Sequence, residues 1–508
     1  MSAVILRASL FEKDADKFWK LKWNVNKPCL RLRDSSGNKL KLYPADLLDI
    51  RRHNDQLDLI CYPLLNDERV RKIFVCQSDE LDRFEQELRK ACIPEMPPHR
   101  PSQKAIDERH FLVLLNPYSG QKKSEALWQK EIRPILDEMH ATFDLKRTER
   151  NGHAIQIIQQ LEIDNYVGVI SLSGDGLIYE LLSGLIKRSD YRRALKLPLI
   201  HIPTGTSNAL AACICYWSRE PFSPRNVFCK ELTLMCNRPF YRQLSLCHVQ
   251  TSENGDLPMF MTCSWGLMAD IDLGSERFRH FGMIRLHLEA FIRIARLPTV
   301  SKYPARISYK PVEDKQLLRN TLIKAKDIVQ RLGSKYFYPN SKIQVFDGTE
   351  EESENNSEQT IEQAFDGTQL VCDKNGKVPR LNEPVPDDWT TIEGDFVYVC
   401  ASAISHLGSD LPYVPSAKME DEVFYITMID WRELQSRFHV GHLLITIDRG
   451  DHLDHSCLHI IPVTACRIEP QTDKPYFAID GEPCHSGKPF QVFSTNLKAT
   501  VMGRDPRR

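Results

Sequence analysis

Three short apolar runs are the clearest pattern in the chain, at residues 111–115, 166–170 and 197–202. Each is followed by apolar residues at helical spacing. Strands that alternate with helices favour parallel pairing. The pattern therefore predicts a doubly wound parallel-sheet α/β domain over residues 105–236.

The segments on either side of this domain have different patterns. Before the proline-rich stretch 93–101, short strand runs are followed by one helix, which resembles a pleckstrin-homology-like β module at residues 1–100. Arg31 and Arg33 would share one strand face near Lys27; they either meet acidic lipid headgroups or form a solvated face.

Strand patterns dominate after residue 237, for example at 396–400, 423–429 and 442–447. They predict an antiparallel β-sandwich over residues 237–503. Residues 347–369 are rich in Glu, Asn, Ser and Gln, so we expect a disordered insertion there.

Glycine, hydroxyl and amide residues follow the three apolar runs, at 116–120, 173–176 and 203–210. In a parallel sheet these loops meet at the carboxyl edge, where backbone N–H groups suit a phosphate-bearing ligand. Asp175 lies between two glycines and would either point at that ligand or simply cap a helix. Neither a Gly-x-x-x-x-Gly-Lys-Ser/Thr loop nor a Gly-x-Gly-x-x-Gly turn after a strand occurs.

Composition narrows the class of protein. The net charge of −1 over 508 residues argues against a globally basic nucleic-acid binder. The 15 cysteines include no Cys-x-x-Cys pair and no zinc-like Cys/His block. Without a signal peptide or an apolar run of membrane-spanning length, we expect reduced thiols in a cytoplasmic protein.

Five motifs, in order, resemble those of the sphingosine kinases, within the diacylglycerol kinase-like lipid kinases. They lie at 116–120, 173–180, 205–210, 265–279 and 477–482, and the resemblance spans roughly 108–310 and 380–500. Ser-Gly-Asp-Gly-Leu is typical of sphingosine kinases, whereas diacylglycerol and ceramide kinases usually begin this motif with Gly-Gly. Ser119 and Ser207 stand where the family often has glycine, so a positive φ there would be strained.

The resemblance implies ATP-dependent phosphorylation of the primary hydroxyl of sphingosine to give sphingosine 1-phosphate, with Mg²⁺. Asp175 would be the general base and, with Asp480, a metal ligand. The residues expected to contact the nucleotide are Asn116, Thr148, Gly174, Gly205, Thr206, Asn208, Arg279, Arg285, Asp480 and Glu482. Asp272 would recognise the sphingoid head group, together with Asp270 and Thr262. In an extended chain Asp270 and Asp272 would share a face.

The segment 283–297 reads as a basic amphipathic helix. The resemblance implies that the lipid enters the β-sandwich, that this helix forms a lid over the lipid pocket and that it binds a calmodulin-like partner. It also implies a protein that is recruited peripherally to membranes. Alternatively, the helix lies on an anionic membrane surface, or its apolar face simply packs on the sandwich. Two alternatives to a sphingosine kinase stay open at this point: a ceramide kinase and a catalytically silent lipid-binding scaffold.

Overall fold

The computed structural model describes residues 5–27, 29–100, 109–119, 124–222, 225–281, 284–296, 302–312, 378–409, 411–434, 436–473 and 475–506. Its N-terminal part is an antiparallel sheet of seven strands in the order β4-β3-β2-β1-β9-β6-β5. The elements of this part are β1 (Ile5–Glu12), β2 (Lys17–Asn24), β3 (Leu30–Asp34), β4 (Lys39–Leu42), a 3₁₀ turn (Pro44–Asp46), β5 (Leu47–His53), β6 (Gln56–Cys61), β7 (Leu64–Leu65), β8 (Glu68–Arg69), β9 (Lys72–Gln77) and α1 (Leu81–Ala91).

Strict alternation along β1 to β4 explains how this sheet is covered. Every second residue of β2, β3 and β4 is exposed, and the residues between them are buried. Helix α1 covers the buried face with Leu81, Phe84 and Leu88. The predicted strands and terminal helix are thus present, and the likeness to a pleckstrin-homology module stays a prediction.

The next part has four parallel strands in the order β11-β10-β12-β13. Its elements are β10 (His110–Leu115), α2 (Ser124–Leu127), a π-helical turn (Trp128–Ile132), α3 (Arg133–Glu138), β11 (Thr142–Arg147), α4 (His153–Gln159), a 3₁₀ turn (Ile163–Asn165), β12 (Gly168–Ser173), α5 (Asp175–Ile186), α6 (Tyr191–Ala194), β13 (Leu199–Pro203), α7 (Ala209–Ser218) and α8 (Arg225–Met235). Strands β12 and β13 are buried along their whole length, as continuous apolar runs predict.

The remainder is mostly antiparallel. It comprises β14 (Phe240–Thr251), β15 (Asp256–Met259), β16 (Thr262–Gly266), α9 (Leu267–Gly274), a 3₁₀ segment (Ser275–Phe281), α10 (Ile284–Ala295), β17 (Tyr303–Pro311), β18 (Thr390–Ser402), β19 (His406–Gly408), β20 (Leu411–Pro412), β21 (Phe424–Asp430), a 3₁₀ turn (Trp431–Glu433), α11 (Arg437–Ile445), two 3₁₀ turns (Ile447–Arg449 and Asp451–Asp454), β22 (His459–Pro470), β23 (Phe477–Ile479), β24 (Glu482–Cys484) and β25 (Phe490–Gly503).

Strand β25 joins the parallel and antiparallel parts. It pairs with β13 through Leu199 and Val501, and it pairs antiparallel with β14 and β22. Strands β18 and β22 each pair with both β17 and β21, which bends the antiparallel sheet around a second core. The sheet is therefore continuous across the predicted boundary at residues 236 and 237.

One predicted strand is wrong. Residues 442–447 lie in α11 and the turn after it, not in a strand. A short apolar run does not by itself distinguish a strand from a buried helical turn. The predicted disordered insertion at 347–369 lies outside the described residues. Among the described residues, no helix is both long enough and apolar enough to cross a bilayer.

A buried ion cluster ties the N-terminal sheet to the rest of the chain. Arg69 lies 2.6 Å from Asp46, 2.7 Å from Glu220 and 2.9 Å from Glu231. Arg504, just beyond β25, lies 3.1 Å from Glu231 and 3.3 Å from Asp46. The two guanidinium groups thus share three carboxylates contributed by different parts of the fold.

Candidate active site

Two glycines bring the loops after β12 and β13 into backbone contact. A Cβ on Gly205 would lie 2.4 Å from the Cα of Gly174. The backbone N–H of Gly205 donates to the carbonyl of Ser173 at 3.0 Å. A Cβ on Gly174 would lie 3.3 Å from the Cα of Gly205, so Gly205 is the glycine that the close approach requires.

Asn208 holds the shape of the second loop at the start of α7. It has a φ of +57°, a conformation that asparagine tolerates better than most residues. Its Oδ1 accepts from the Gly205 N–H at 3.0 Å, and its Nδ2 donates to the Gly205 carbonyl at 3.1 Å. Thr206, which lies between Gly205 and Asn208 in the sequence, is half-buried.

The Asp175 side chain spans the gap between the two loops. Asp175 is the first residue of α5 and is buried. Its Oδ2 accepts from the Ala209 N–H at 3.0 Å and its Oδ1 from the Leu210 N–H at 3.2 Å. The carboxylate therefore caps α7 rather than its own helix, and it lies where all three loops converge.

Sequence reasoning missed His201, a buried residue of β13 next to this carboxylate. Its Nδ1 lies 3.7 Å from Asp175 Oδ1, and its Nε2 donates to the Ser173 carbonyl at 3.1 Å. Burial lowers the pKa of His201, so the ring is neutral. The only signal was one polar residue inside an apolar strand.

The first loop carries Asn116 and Ser119. Asn116 Oδ1 accepts from the Tyr118 N–H at 2.9 Å, and Ser119 Oγ accepts from the Thr204 hydroxyl at 3.2 Å. Thr148 is buried beside β10, where its N–H donates to the Leu115 carbonyl at 2.9 Å. Neither Ser119 nor Ser207 has a positive φ, so the strain expected at these positions is absent.

Asp272 faces the same cleft from α9. Burial raises the pKa of its carboxyl to about 6; the neighbouring carboxylates of Glu276, Asp175 and Glu482 add to this rise, and Arg285 opposes it. Electrostatic influence of this kind requires proximity. The predicted catalytic and head-group acids are therefore brought together.

Asp270 faces a different direction, and the expectation of a shared face is wrong. Residues two apart on a helix diverge by about 200°, and both aspartates lie on a helix rather than in extended chain. Asp270 accepts from the Tyr303 hydroxyl at 2.5 Å, the Tyr476 N–H at 2.7 Å and Arg293 at 3.1 Å. Its carboxylate thus joins α9 to α10 and to β17.

Asp480 lies in a tight turn with a φ of +50°. Its carboxylate accepts from the N–H groups of Phe260 at 3.0 Å, Met261 at 2.9 Å and Thr262 at 2.8 Å. Burial raises the pKa of Asp480 to about 7, and Asp175 contributes to that rise. Thr262 is therefore the backbone partner of Asp480, and its own carbonyl accepts from the Asp480 N–H at 2.7 Å.

Glu482 lies beside the start of α5. Its Oε1 is 3.2 Å from the position that a Cβ on Gly176 would occupy. Burial raises the pKa of Glu482, with help from Glu180 and Glu276. Glu180 itself accepts from the Ala154 N–H at 3.0 Å and so caps α4.

Helix α10 contributes Arg285, which is buried and pairs with Glu276. Glu289 of the same helix is fully buried, at 2.6 Å from Arg277 and 2.8 Å from Arg293. The side chain of Arg279 lies outside the described part of the structure.

Comparison with known proteins identifies the family. The diacylglycerol kinase catalytic domain matches residues 110–234. Sphingosine kinase 1 of Homo sapiens is 31% identical over 374 residues, which cover 73% of this chain and 85% of that protein. The chain belongs to the sphingosine kinase family. Sphingosine kinase 1 of Caenorhabditis elegans is 27% identical over 404 residues, covering 77% of this chain and 81% of that protein.

Among solved structures, the chain is similar to a diacylglycerol kinase from Bacillus anthracis str. Sterne. The TM-score is 0.43 at 13% identity, over 78% of this chain and 98% of that one.

The candidate residues of this sphingosine kinase family member fall into two groups. Those that build the loops around Asp175 lie inside the matched catalytic domain at 110–234. Asp272, Arg285, Asp480 and Glu482 lie beyond it, on segments that the fold returns to the same cleft.

Proposed function

We propose that this protein uses ATP to phosphorylate the primary hydroxyl of sphingosine and related sphingoid bases, giving sphingosine 1-phosphate. The observation that carries the proposal is the shared cleft of Asp175 and Asp272, beside loops whose backbone suits phosphates. The names of its relatives, sphingosine kinase 1 of Homo sapiens and of Caenorhabditis elegans, agree with it.

In this mechanism Asp175 is the general base. As the hydroxyl oxygen forms its bond to the γ-phosphorus, the bond from that phosphorus to the ADP oxygen breaks, and the hydroxyl proton passes to the Asp175 carboxylate. The N–H groups of Ala209 and Leu210 hold that carboxylate in one orientation. The loops at Gly174 and Gly205 would receive the phosphates.

Asp272 would select the substrate. An ionised carboxylate pairs well with the ammonium and hydroxyl groups of a sphingoid base. Ceramide offers an uncharged amide at that position, and diacylglycerol has no nitrogen. Arg285 lies near Asp272, where its guanidinium would bind phosphate oxygens after leaving Glu276; we assign Arg279 the same role by resemblance.

The acidic cleft also suits Mg²⁺, which prefers oxygen ligands. Several carboxylates raise one another's pKa there, and a divalent cation would relieve that repulsion. Among the described residues no hydrogen bond reaches the Glu482 carboxylate, whereas Asp480 already accepts three. We therefore propose Glu482, in addition to Asp175, as a candidate metal ligand. In this arrangement Asp480 fixes the turn between β23 and β24, at the end of which Glu482 lies. When bound, Mg²⁺ would neutralise charge on the ATP phosphates.

We also propose that the protein is recruited from the cytoplasm to an anionic membrane, and a basic face on the N-terminal sheet supports this. Seven exposed cations share the face: Arg7, Lys20, Lys22, Arg31, Arg33, Lys39 and Lys41. The register places Lys22 opposite Arg31 and Arg31 opposite Lys41. Like charges directly opposite each other destabilise a sheet. Acidic lipid headgroups would offset the repulsion between these cations.

Helix α10 is also proposed to form a lid over the lipid pocket and to bind a calmodulin-like partner. Leu288 and Phe291 are exposed on it, as a lid that contacts lipid would require. A calmodulin-like partner at 283–297 stays a prediction, and such binding would have to break the contacts of Arg285, Glu289 and Arg293.

The decisive experiment supplies Mg-ATP labelled at the γ-phosphate with sphingosine, ceramide and diacylglycerol in parallel. We expect label on sphingosine alone. Label on ceramide would favour the ceramide kinase alternative. No label on any lipid while ATP still binds would favour the catalytically silent scaffold.

A further inference from the structure

Three histidines and a cysteine form a cluster where α11 packs on the segment before β22. His439 and His442 lie three residues apart on α11, and His455 and Cys457 lie between a 3₁₀ turn and β22. His439 Nε2 lies 2.8 Å from His455 Nδ1 and 3.9 Å from Cys457 Sγ. The donor atoms of His439, His455 and Cys457 all lie within 4.8 Å of one another.

We propose that His439, His455 and Cys457 bind a zinc ion, with water as the fourth ligand. Two imidazoles and a thiolate are ligands that zinc prefers over the oxygen-seeking magnesium and calcium. Cys457 is buried, His439 and His455 are half-buried and the neighbouring His442 is exposed, so the cluster lies close enough to the surface for water to supply the fourth ligand.

The distances fit a tetrahedral ion after a small adjustment. Zinc–nitrogen bonds of about 2.0–2.1 Å and a zinc–sulfur bond of about 2.3 Å separate the ligand atoms by roughly 3.3–3.6 Å. The sulfur lies 3.9 Å from His439 Nε2, and the two imidazole nitrogens lie 2.8 Å apart. Binding therefore requires the two imidazole nitrogens to separate by about half an ångström. It also requires the sulfur to move closer to both of them, since the three donor atoms are within 4.8 Å of one another.

His442 would orient one ligand rather than bind zinc itself. Its Nδ1 lies 3.2 Å from His455 Nε2. If His455 donates its Nε2 proton to His442, its Nδ1 carries the lone pair that faces the metal position. Such partners fix the tautomer of a zinc-bound histidine, and their removal typically weakens binding by about 10- to 100-fold.

The competing interpretation is a chain of neutral imidazoles joined by hydrogen bonds. His439 would donate to His455, which would donate to His442, and the chain needs no sulfur. The inward position of Cys457 beside the same His439 nitrogen favours a metal. The two interpretations differ in whether the thiol matters.

A zinc ion here would fix α11 against the segment before β22. Helix α11 also contacts α10, since Arg437 donates to the Ala295 carbonyl at 2.9 Å and Gly441 lies close to Ile294. The metal would thus stabilise the support on which α10 rests, without entering the phosphoryl-transfer site.

The test is metal content of the full-length protein, purified without a histidine tag. After incubation with zinc and dialysis against metal-free buffer, we expect one zinc per chain by elemental analysis. Cys457→Ser and His455→Ala should lose it, and His442→Ala should weaken binding by about 10- to 100-fold. Matched controls are Cys29→Ser, in the N-terminal part, and His459→Ala, whose side chain pairs with Glu433 instead.

Cobalt binding to the unaltered protein keeps the test valid if a variant fails to fold. Co²⁺ should give a thiolate-to-cobalt absorption band, and zinc should abolish that band. A wild-type protein that retains no zinc and gives no such band would overturn the proposal in favour of the imidazole chain. Equal zinc content in the wild type and in a folded Cys457→Ser variant would do the same.

Discussion

The Asp175 carboxylate accepts a hydrogen bond from the backbone N–H of Ala209 at 3.0 Å, so the proposed base is held by the first turn of another helix. In Asp175→Asn, the amide has nearly the same size, keeps one of the two acceptors for the Ala209 and Leu210 N–H groups, and cannot take the hydroxyl proton. We expect kcat to fall by about 10²- to 10⁴-fold while ATP still binds. Turnover is measured with labelled ATP and binding by calorimetry.

Asp190→Asn is the matched control, because Asp190 lies beyond the other end of α5 and pairs with Arg188 at 2.7 Å. It should leave kcat unchanged. A fully active Asp175→Asn enzyme would disprove the role of Asp175.

The pKa of Asp272 predicts that sphingosine binding depends on pH. Its pKa is raised to about 6, so it is ionised at pH 7.5 and becomes protonated as the pH falls through 6. The KM for sphingosine should therefore rise at low pH, by about tenfold or more if a charge-assisted bond worth ~1.5–3 kcal/mol is lost. The KM for ATP should change much less.

Asp272→Asn should show the high sphingosine KM at every pH. The other charged groups that face Asp272 are Arg285, Glu276, Asp175 and Glu482, and they remain in the variant. A pH dependence that persists in Asp272→Asn would assign the effect to one of them instead.

The sequence predicts the elements around the site well, because their signals are local. Buried parallel strands are apolar throughout, and glycines mark the turns, so β12, β13 and the start of α5 follow directly from the pattern. The convergence of the loops then follows from parallel pairing.

Features that depend on tertiary contacts could not be predicted in this way. The prediction that Asp270 and Asp272 share a face fails because nothing local marks α9 as a helix. For the same reason part of α11 is wrongly predicted as a strand. The sequence pattern therefore does not place two histidines three residues apart on one helix. The His/Cys cluster also escaped a search for metal motifs, because its two halves meet only through the packing of α11 on the segment before β22.

Gly205 tests the contact between the phosphate loops. An added Cβ would lie 2.4 Å from Gly174 Cα, and backbone has little freedom to move away. We expect Gly205→Ala to lose about 1–3 kcal/mol of unfolding free energy and most ATP binding. At Gly394 a Cβ would meet the side-chain ends of Arg432 and Asp430, both at 3.3 Å. Gly394→Ala is therefore the control, and equal melting and ATP binding in both variants would refute the contact.

Arg69 tests the attachment of the N-terminal sheet. Its removal takes one of two guanidinium groups away from the buried carboxylates of Asp46, Glu220 and Glu231, so we expect Arg69→Ala to cost about 3–5 kcal/mol of unfolding free energy in urea melts. Arg71→Ala is the control in the same segment. Arg71 pairs with Glu138 at 2.6 Å but is exposed, and such pairs contribute about 0–1 kcal/mol. Equal losses would mean that burial of the cluster is unimportant.

The basic face of the N-terminal sheet makes a prediction about membranes. The triple substitution Lys22→Glu, Arg31→Glu and Lys41→Glu reverses charges that face one another on three strands. Each cation near an anionic surface contributes about 1 kcal/mol, so binding to vesicles that contain phosphatidylserine should fall by at least about tenfold.

Lys187→Glu with Lys196→Glu places reversed charges on the exposed surface of the kinase part and should bind normally. Binding should also weaken with added salt, since the attraction is screened within about 10 Å at 0.1 M. A triple variant that sediments with these vesicles as well as the wild type would show that another surface, such as exposed Leu288 and Phe291 on α10, makes the contact.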